Sequence, residues 1–172
     1  MRRRMGSAFM LSLRSLRSDD HAAALVVNNA AVPAVNPHDA DSFAALVAQA
    51  DRCWVADDEG TLAGLLVVFG PGASYGSANY RWVSERYASF RYVDRIIVHA
   101  AYKRRGLGSQ FYAALEDHAK AQHAKRLLCE VNLLPPNPQS LAFHAGAGWR
   151  PAGDRSFGPE KAVRYFEKEL GD

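Results

Sequence analysis

The chain has 172 residues, of which 48% are hydrophobic and 23% charged, which suits one folded domain and excludes intrinsic disorder, a state of few apolar residues and high net charge. Its formal charge of +3 comes from 21 basic against 18 acidic residues, and Arg2, Arg3 and Arg4 are that difference, so residues 5–172 are neutral. A nucleic-acid partner, which needs its cations on a folded face, and a membrane span, which needs about 18–20 consecutive apolar residues, are both excluded.

Residues 1–8 read as a disordered basic tail and residues 9–172 as one domain. Phe9 to Leu13 is a first strand. Ser18-Asp19-Asp20 supplies a cap and an acidic first turn for a helix over His21 to Ala31. Pro33 and Pro37 kink the connection from Val32 to His38, and Asp39 or Asp41 caps a second helix over Phe43, Leu46 and Val47. Arg52 to Ala56 and Leu62 to Phe69 are strands joined by the turn Asp57-Asp58-Glu59-Gly60. The stretch from Ala73 to Arg91 is polar and aromatic, long enough to suggest a role, and holds a short helix around Trp82 to Ser89. Tyr92 to Val98 is a strand. Gly106 to Ala121 is a helix with apolar residues at Leu107, Phe111, Ala114 and Leu115. Arg126 to Val131 is a strand, Gln139 to Ala147 a short helix, and a turn at Gly148-Trp149 leads into a strand before the last one, Ala162 to Leu170. Strands and helices in this order predict a mixed α/β sheet.

Cys53 and Cys129 lie far apart, each in an apolar strand-like run, with no CxxC pair and no Cys/His cluster of zinc spacing. Two reduced, buried thiols and no metal are expected. Met1 to Leu13 lacks the uninterrupted apolar run and cleavage site of a secretory leader, so the expected location is cytoplasmic.

The informative junction is the strand Tyr92–Val98, then His99 to Tyr102, then Lys103-Arg104-Arg105-Gly106-Leu107-Gly108-Ser109 opening a helix. A helix start leaves backbone N–H groups unpaired and aims them, with the helix dipole, at one point. Gly106 and Gly108 let a phosphate approach the backbone without meeting a Cβ, and three consecutive cations add a positive field. The turn therefore suits a pyrophosphate, the alternative being a basic helix start that binds nothing. Neither a G-x-x-x-x-G-K-[ST] loop nor a full G-x-G-x-x-G fingerprint is present.

Lys103-Arg104-Arg105-Gly106-Leu107-Gly108 resembles the acyl-CoA signature [R/Q]-x-x-G-x-[G/A] of the GNAT acyltransferase superfamily, with Lys103 where Arg or Gln is usual. Asn137-x-x-Ser140-x-x-Phe143-His144-x-x-x-Gly148-Trp149 resembles that family's later N-x-x-[A/S]-x-x-F-Y-x-x-x-G-F pattern. The resemblance covers residues 9–170 and implies a single-domain α/β (α+β) fold: a mixed, mostly antiparallel sheet with a central, splayed parallel pair, flanked by about four helices. It implies acetyl-CoA as cofactor, its arm lying in the splay against the backbone of Ile96, Ile97 and Val98. Its pyrophosphate would sit on the amides of Arg104, Arg105, Gly106, Leu107, Gly108 and Ser109, with Lys103 a further cofactor contact and Asn137 and Ser140 beside the arm. The implied reaction is direct attack of a neutral amine on the thioester, with a backbone N–H near Val98 facing the developing oxyanion, a role worth ~3–4 kcal/mol elsewhere.

The resemblance also implies two catalytic candidates. His144 stands where many relatives carry a tyrosine that protonates the departing thiolate. An imidazole of ordinary pKa near ~6.5 is able to do so as imidazolium, or else it packs. Asp94, which the period of two puts on one face with Tyr92 and Ile96, would take the ammonium proton or hold the acceptor's charge, the alternative being a pair with Arg95. Glu85 and Glu130 are further candidates for the base. For the acceptor, Asn28, Tyr80, Trp82 and Tyr92 are candidate contacts that would wall a pocket or cage a cation, unless the rings pack the insert onto the sheet. The expected function is an acetyl-CoA-dependent N-acetyltransferase acting on a small-molecule amine. A protein N-terminal or lysine acetyltransferase and a non-catalytic acyl-CoA-binding module are the alternatives, and a homodimer stays open.

Overall fold

The computed structural model describes residues 11–171, so the expected tail and the first two residues of the expected first strand, Phe9 and Met10, lie outside the described residues. The strands are Leu11–Ser15 (β1), Arg52–Asp58 (β2), Thr61–Phe69 (β3), Arg91–Val98 (β4), Arg126–Leu134 (β5), Arg150–Ser156 (β6) and Ala162–Glu169 (β7). The helices are His21–Ala30 (α1), Ala40–Gln49 (α2), Ala78–Arg86 (α3), Leu107–Ala121 (α4) and Pro138–Gly146 (α5). One sheet runs β1-β2-β3-β4-β5-β7-β6. Every neighbouring pair is antiparallel except β4 and β5, which are parallel.

The sheet is therefore mixed and mostly antiparallel with one central parallel pair, as expected, and it carries five helices where about four were expected. α3 begins four residues ahead of the expected Trp82, because the Ser77 hydroxyl accepts the Tyr80 amide and caps the helix there. β5 runs past the expected Val131, because Asn132 and Leu134 still pair with Val163 and Ala162 of β7. Long-range pairing, not local propensity, sets that boundary.

Both faces of the sheet are covered. On one, Ala24 and Val27 of α1, Phe43 and Leu46 of α2, and Tyr80 and Val83 of α3 pack on Val55, Leu65, Val67, Phe69, Tyr92 and Leu128. On the other, Leu107, Phe111 and Leu115 of α4, with Leu141 and Phe143 of α5, pack on Ala56, Leu66, Val68, Val93 and Leu127. β3, buried on both sides, is accordingly an unbroken apolar run.

Two irregularities place the site. First, β4 carries a bulge. Val67 pairs with Arg95 but Val68 with Val93, so Asp94 is an extra residue. The alternation resets there: Tyr92 packs among α1–α3 while Ile96 packs on the α4 side. This corrects the expected common face of Tyr92, Asp94 and Ile96, for a period of two holds only along an unbulged strand. Second, β4 and β5 pair only at Arg91–Leu127, Tyr92–Leu128 and Val93–Cys129. Beyond Val93 the strands part, and the sheet opens between them.

Candidate active site

The His99 amide donates to Ala63 at 2.8 Å. By antiparallel alternation Ile97 therefore faces β3, and Ile96 and Val98 turn their backbone N–H and C=O groups into the gap between β4 and β5. A groove of about 720 Å³ follows this edge. It brings together Ile96, Ile97, Val98, Lys103, Arg104, Gly106, Leu107, Gly108, Ser109, Asn137 and Ser140. Of the expected cofactor contacts, Arg105 alone is absent from its wall, with its guanidinium 5.6 Å from the centre of the Tyr102 ring.

At the groove's basic end, Arg104 and Gly106 adopt left-handed backbone conformations with φ of 64° and 76°. Gly106 begins α4 with no side-chain cap, and the first helical bond runs from the Gln110 amide to its carbonyl. The amides of Leu107, Gly108 and Ser109 thus have no helical acceptor. A Cβ on Gly108 would lie 2.9 Å from the Phe143 ring, so glycine keeps this floor low. Uncapped amides, two wall cations and an open strand edge fit the phosphates and amide arm of an acyl-CoA.

A second cavity, of about 450 Å³, passes through the sheet where the strands part. Tyr75 and Asn79 line it from the α3 side, Tyr112 and His144 from the α4–α5 side, and Phe157 and Lys161 from the β6–β7 turn. It shares Ile96, Asn137 and Ser140 with the groove, so the two hollows adjoin. This junction is where a thioester in the groove would meet an acceptor in the cavity.

Both expected catalytic side chains line the cavity. Asp94 accepts from Tyr75 Oη and from Arg95 Nε, each at 2.7 Å, so both carboxylate oxygens are engaged. His144 is 2% exposed. Its Nδ1 lies 2.8 Å from the Ser140 carbonyl, which only accepts, so Nδ1 carries the proton and Nε2 accepts from Tyr112 Oη at 2.6 Å. Burial pushes the ring below its ordinary pKa, against the Ser140 bond that raises it. Glu130 also lines the cavity, accepting from Tyr92 Oη at 2.6 Å and Asn79 Nδ2 at 3.1 Å. Burial outweighs those two bonds and, with nearby Asp94, pushes its carboxyl up to about 8.

The four expected acceptor contacts stand behind the walls of both hollows. Asn28 is fully buried and accepts from Arg95 at 2.7 Å. Tyr92 is fully buried under Glu130. Tyr80 donates to the Gly70 carbonyl at 2.6 Å and accepts the Ala73 amide at 3.0 Å. Trp82 stacks on Tyr165 with ring centres 3.8 Å apart, and Arg86 lies 4.0 Å from its ring centre. These rings pack the insert against the sheet. Tyr112, Asn79 and Lys161 line the cavity without having been marked in the sequence, since no local motif sets them apart.

The model of the acetyltransferase (GNAT) family matches residues 13–149. An N-acetyltransferase from Staphylococcus aureus Mu50 is 20% identical with a TM-score of 0.72, over 94% of this chain and 99% of that one. The ribosomal-protein-S18-alanine N-acetyltransferase of Escherichia coli is 18% identical with a TM-score of 0.70, over 95% and 96%. The yncA protein of Salmonella typhimurium, whose structure holds its cofactor acetyl-CoA, is 18% identical with a TM-score of 0.70, over 94% and 95%. At these identities the likeness is one of fold. A search of curated proteins finds no match to the sequence.

Proposed function

The chain belongs to the acetyltransferase (GNAT) family, and from that premise we propose that it acetylates the amine of a small molecule, using acetyl-CoA. The observation that carries the acceptor class is the cavity of about 450 Å³ that adjoins the groove at Ile96, Asn137 and Ser140. It lies in the size range of small-ligand sites. The α3 insert and the β6–β7 turn both contribute to its wall, which favours an enclosed molecule over an extended peptide.

Acetyl-CoA, when bound, supplies an acetyl thioester open to direct attack by an amine. The backbone of Ile96 and Val98 would hold the cofactor's arm, and the amides of Leu107 to Ser109, with Lys103 and Arg104, would hold its phosphates. Glu130, at the cavity wall, takes the proton of the acceptor ammonium, whose approach favours the ionised carboxylate. Asp94, held by Tyr75 and charge-compensated by Arg95, fixes the polar wall on the amine side. The Tyr112 hydroxyl, which rests on His144 Nε2, would turn to the departing sulfur and give it its proton, the phenolate left behind being reprotonated from solvent.

Thermal melts with acetyl-CoA test the groove, and thiol release across amines, amino acids and peptides tests the chemistry. Release with small amines supports the reading. Release with peptides alone would move the acceptor class to proteins, and binding without release from any acceptor would leave a non-catalytic acyl-CoA-binding module.

A further inference from the structure

Of the acidic and basic side chains that line the cavity, Asp94, Arg95, Glu130 and His144 are each held by close partners. Asp94 pairs with Arg95 at 2.7 Å, and Arg95 also holds Asn28. Glu130 is held by Tyr92 and Asn79, and His144 by Tyr112 and Ser140. Lys161 differs. Its ammonium donates to Asn132 Oδ1 at 2.8 Å and, among the described residues, has no carboxylate within salt-bridge distance.

Asn132 is a fixed mount for that ammonium. It is 7% exposed, and its Nδ2 donates to the Pro33 carbonyl at 3.3 Å. Asn132 lies two residues beyond Glu130 on β5, so both face the same side, about 6–7 Å apart along the strand. The cavity thus offers a cation at one station and a carboxyl at the next. With Asp94 and Arg95 compensating each other, and Glu130 mostly protonated near neutrality, the uncompensated charge on its wall is the Lys161 ammonium.

We propose that Lys161 receives the carboxylate of a free α-amino acid whose amine is delivered to Glu130, so that the acceptor is an amino acid and not a simple amine or a peptide. The inference rests on the function proposed above. An amine and a carboxylate on one α-carbon fit two stations this close together, each end making a charge-assisted hydrogen bond. A peptide N-terminus carries a neutral amide at the same place, and a simple amine carries nothing, so either leaves the ammonium uncompensated. Arg95 is not the anchor, because Asp94 already neutralises it.

The test uses the full chain, acetyl-CoA, and the common L-amino acids each paired with its α-carboxamide as probes. The best amino acid should exceed its carboxamide in kcat/KM by about 10- to 100-fold, the range for a hydrogen bond to a charged group. Lys161→Met should bring that ratio to within about threefold, and Lys161→Arg should restore most of it. Calorimetry with the N-acetyl amino acid should show at least about tenfold weaker binding to Lys161→Met than to the wild type. Equal rates on acid and carboxamide by the wild type, or a ratio that survives Lys161→Met in a variant with an unchanged melt, would overturn the inference alone. Thiol release from no amine at all, with acetyl-CoA still raising the melting temperature, would overturn the proposed function and this inference with it.

Discussion

The Tyr112 hydroxyl lies 2.6 Å from Nε2 of His144, in a contact shielded from solvent. Burial lowers the pKa of His144 and so favours the neutral imidazole, and with Nδ1 committed to the Ser140 carbonyl the hydroxyl is then the donor. The histidine at the expected tyrosine position is thus no poised cation, and a phenol is presented from α4 in its place. Tyr112→Phe should lower kcat about 10²-fold, at the lower end for a lost general acid, with little change in KM for acetyl-CoA. His144→Phe should cost a similar factor, and the double variant little more, since the two act as one unit. Steady-state kinetics with thermal melts as a control measure this. An unaltered kcat in folded Tyr112→Phe would reduce the pair to packing.

Glu130 governs the pH dependence. Its carboxyl titrates at about 8 in the folded chain, and a base must be ionised to act, so kcat/KM should rise with pH up to about 8 and level off above it. Glu130→Gln should lower kcat/KM about 10²- to 10⁴-fold and remove that limb. The stability effect has the opposite sense. The folded state holds this proton more tightly than the unfolded state, whose ordinary value is 4.5, so stability falls as pH rises from about 4.5 through about 8. The slope from one group is at most ~1.4 kcal/mol per pH unit. Denaturant melts across that range should show the slope in the wild type and lose it in Glu130→Gln.

What was readable in the sequence was local. The strand into Val98, the glycine-bearing basic turn and the apolar stripe of α4 each arise from neighbours in the chain, so the groove could be named residue by residue. The amine side could not. The bulge at Asp94 exists only because β3 pairs past it, and no pattern within β4 announces it. Tyr80 and Trp82 look like a ligand cage in sequence, yet they satisfy the Gly70 carbonyl and stack on Tyr165. Tyr112 and Lys161 reach the cavity from segments separated by the whole of β5, α5 and β6, a juxtaposition that only the folded sheet creates.

The N-terminal strand is tied down by charge as well as by pairing. Arg14 bonds Asp20 at 2.7 Å and Asp57 at 3.0 Å. The Arg14 guanidinium, helped by the Arg17 amide, holds the Asp20 carboxyl at about 2 against a desolvation that opposes it. A carboxylate depressed in the folded state stabilises at pH values above its ordinary 3.8 and ceases to do so as pH falls through about 2. Asp20→Asn should therefore destabilise the chain by about 1–2 kcal/mol at neutral pH and by progressively less below pH ~4. Denaturant melts at neutral and acid pH check both. An equal loss at both would assign the effect to capping geometry.

Gly108 links the packing of α4 on α5 to the cofactor groove. A Cβ there would sit 2.9 Å from the Phe143 ring edge, and Phe143 itself lines the groove. The ring is clamped behind by stacking on Tyr112 at 5.7 Å between centres, so the added methyl has to push it toward the cofactor or spread the helices. Gly108→Ala should cost about 1–3 kcal/mol of stability, as overpacking does, and weaken acetyl-CoA binding by about tenfold. Trimming the ring should relieve both. Phe143→Leu in the Gly108→Ala background should recover cofactor affinity that Phe143→Leu alone does not gain, a coupling that a double-mutant cycle by calorimetry isolates. Purely additive effects would mean that the groove floor is set by the α4 backbone alone and not by the meeting of Gly108 with Phe143.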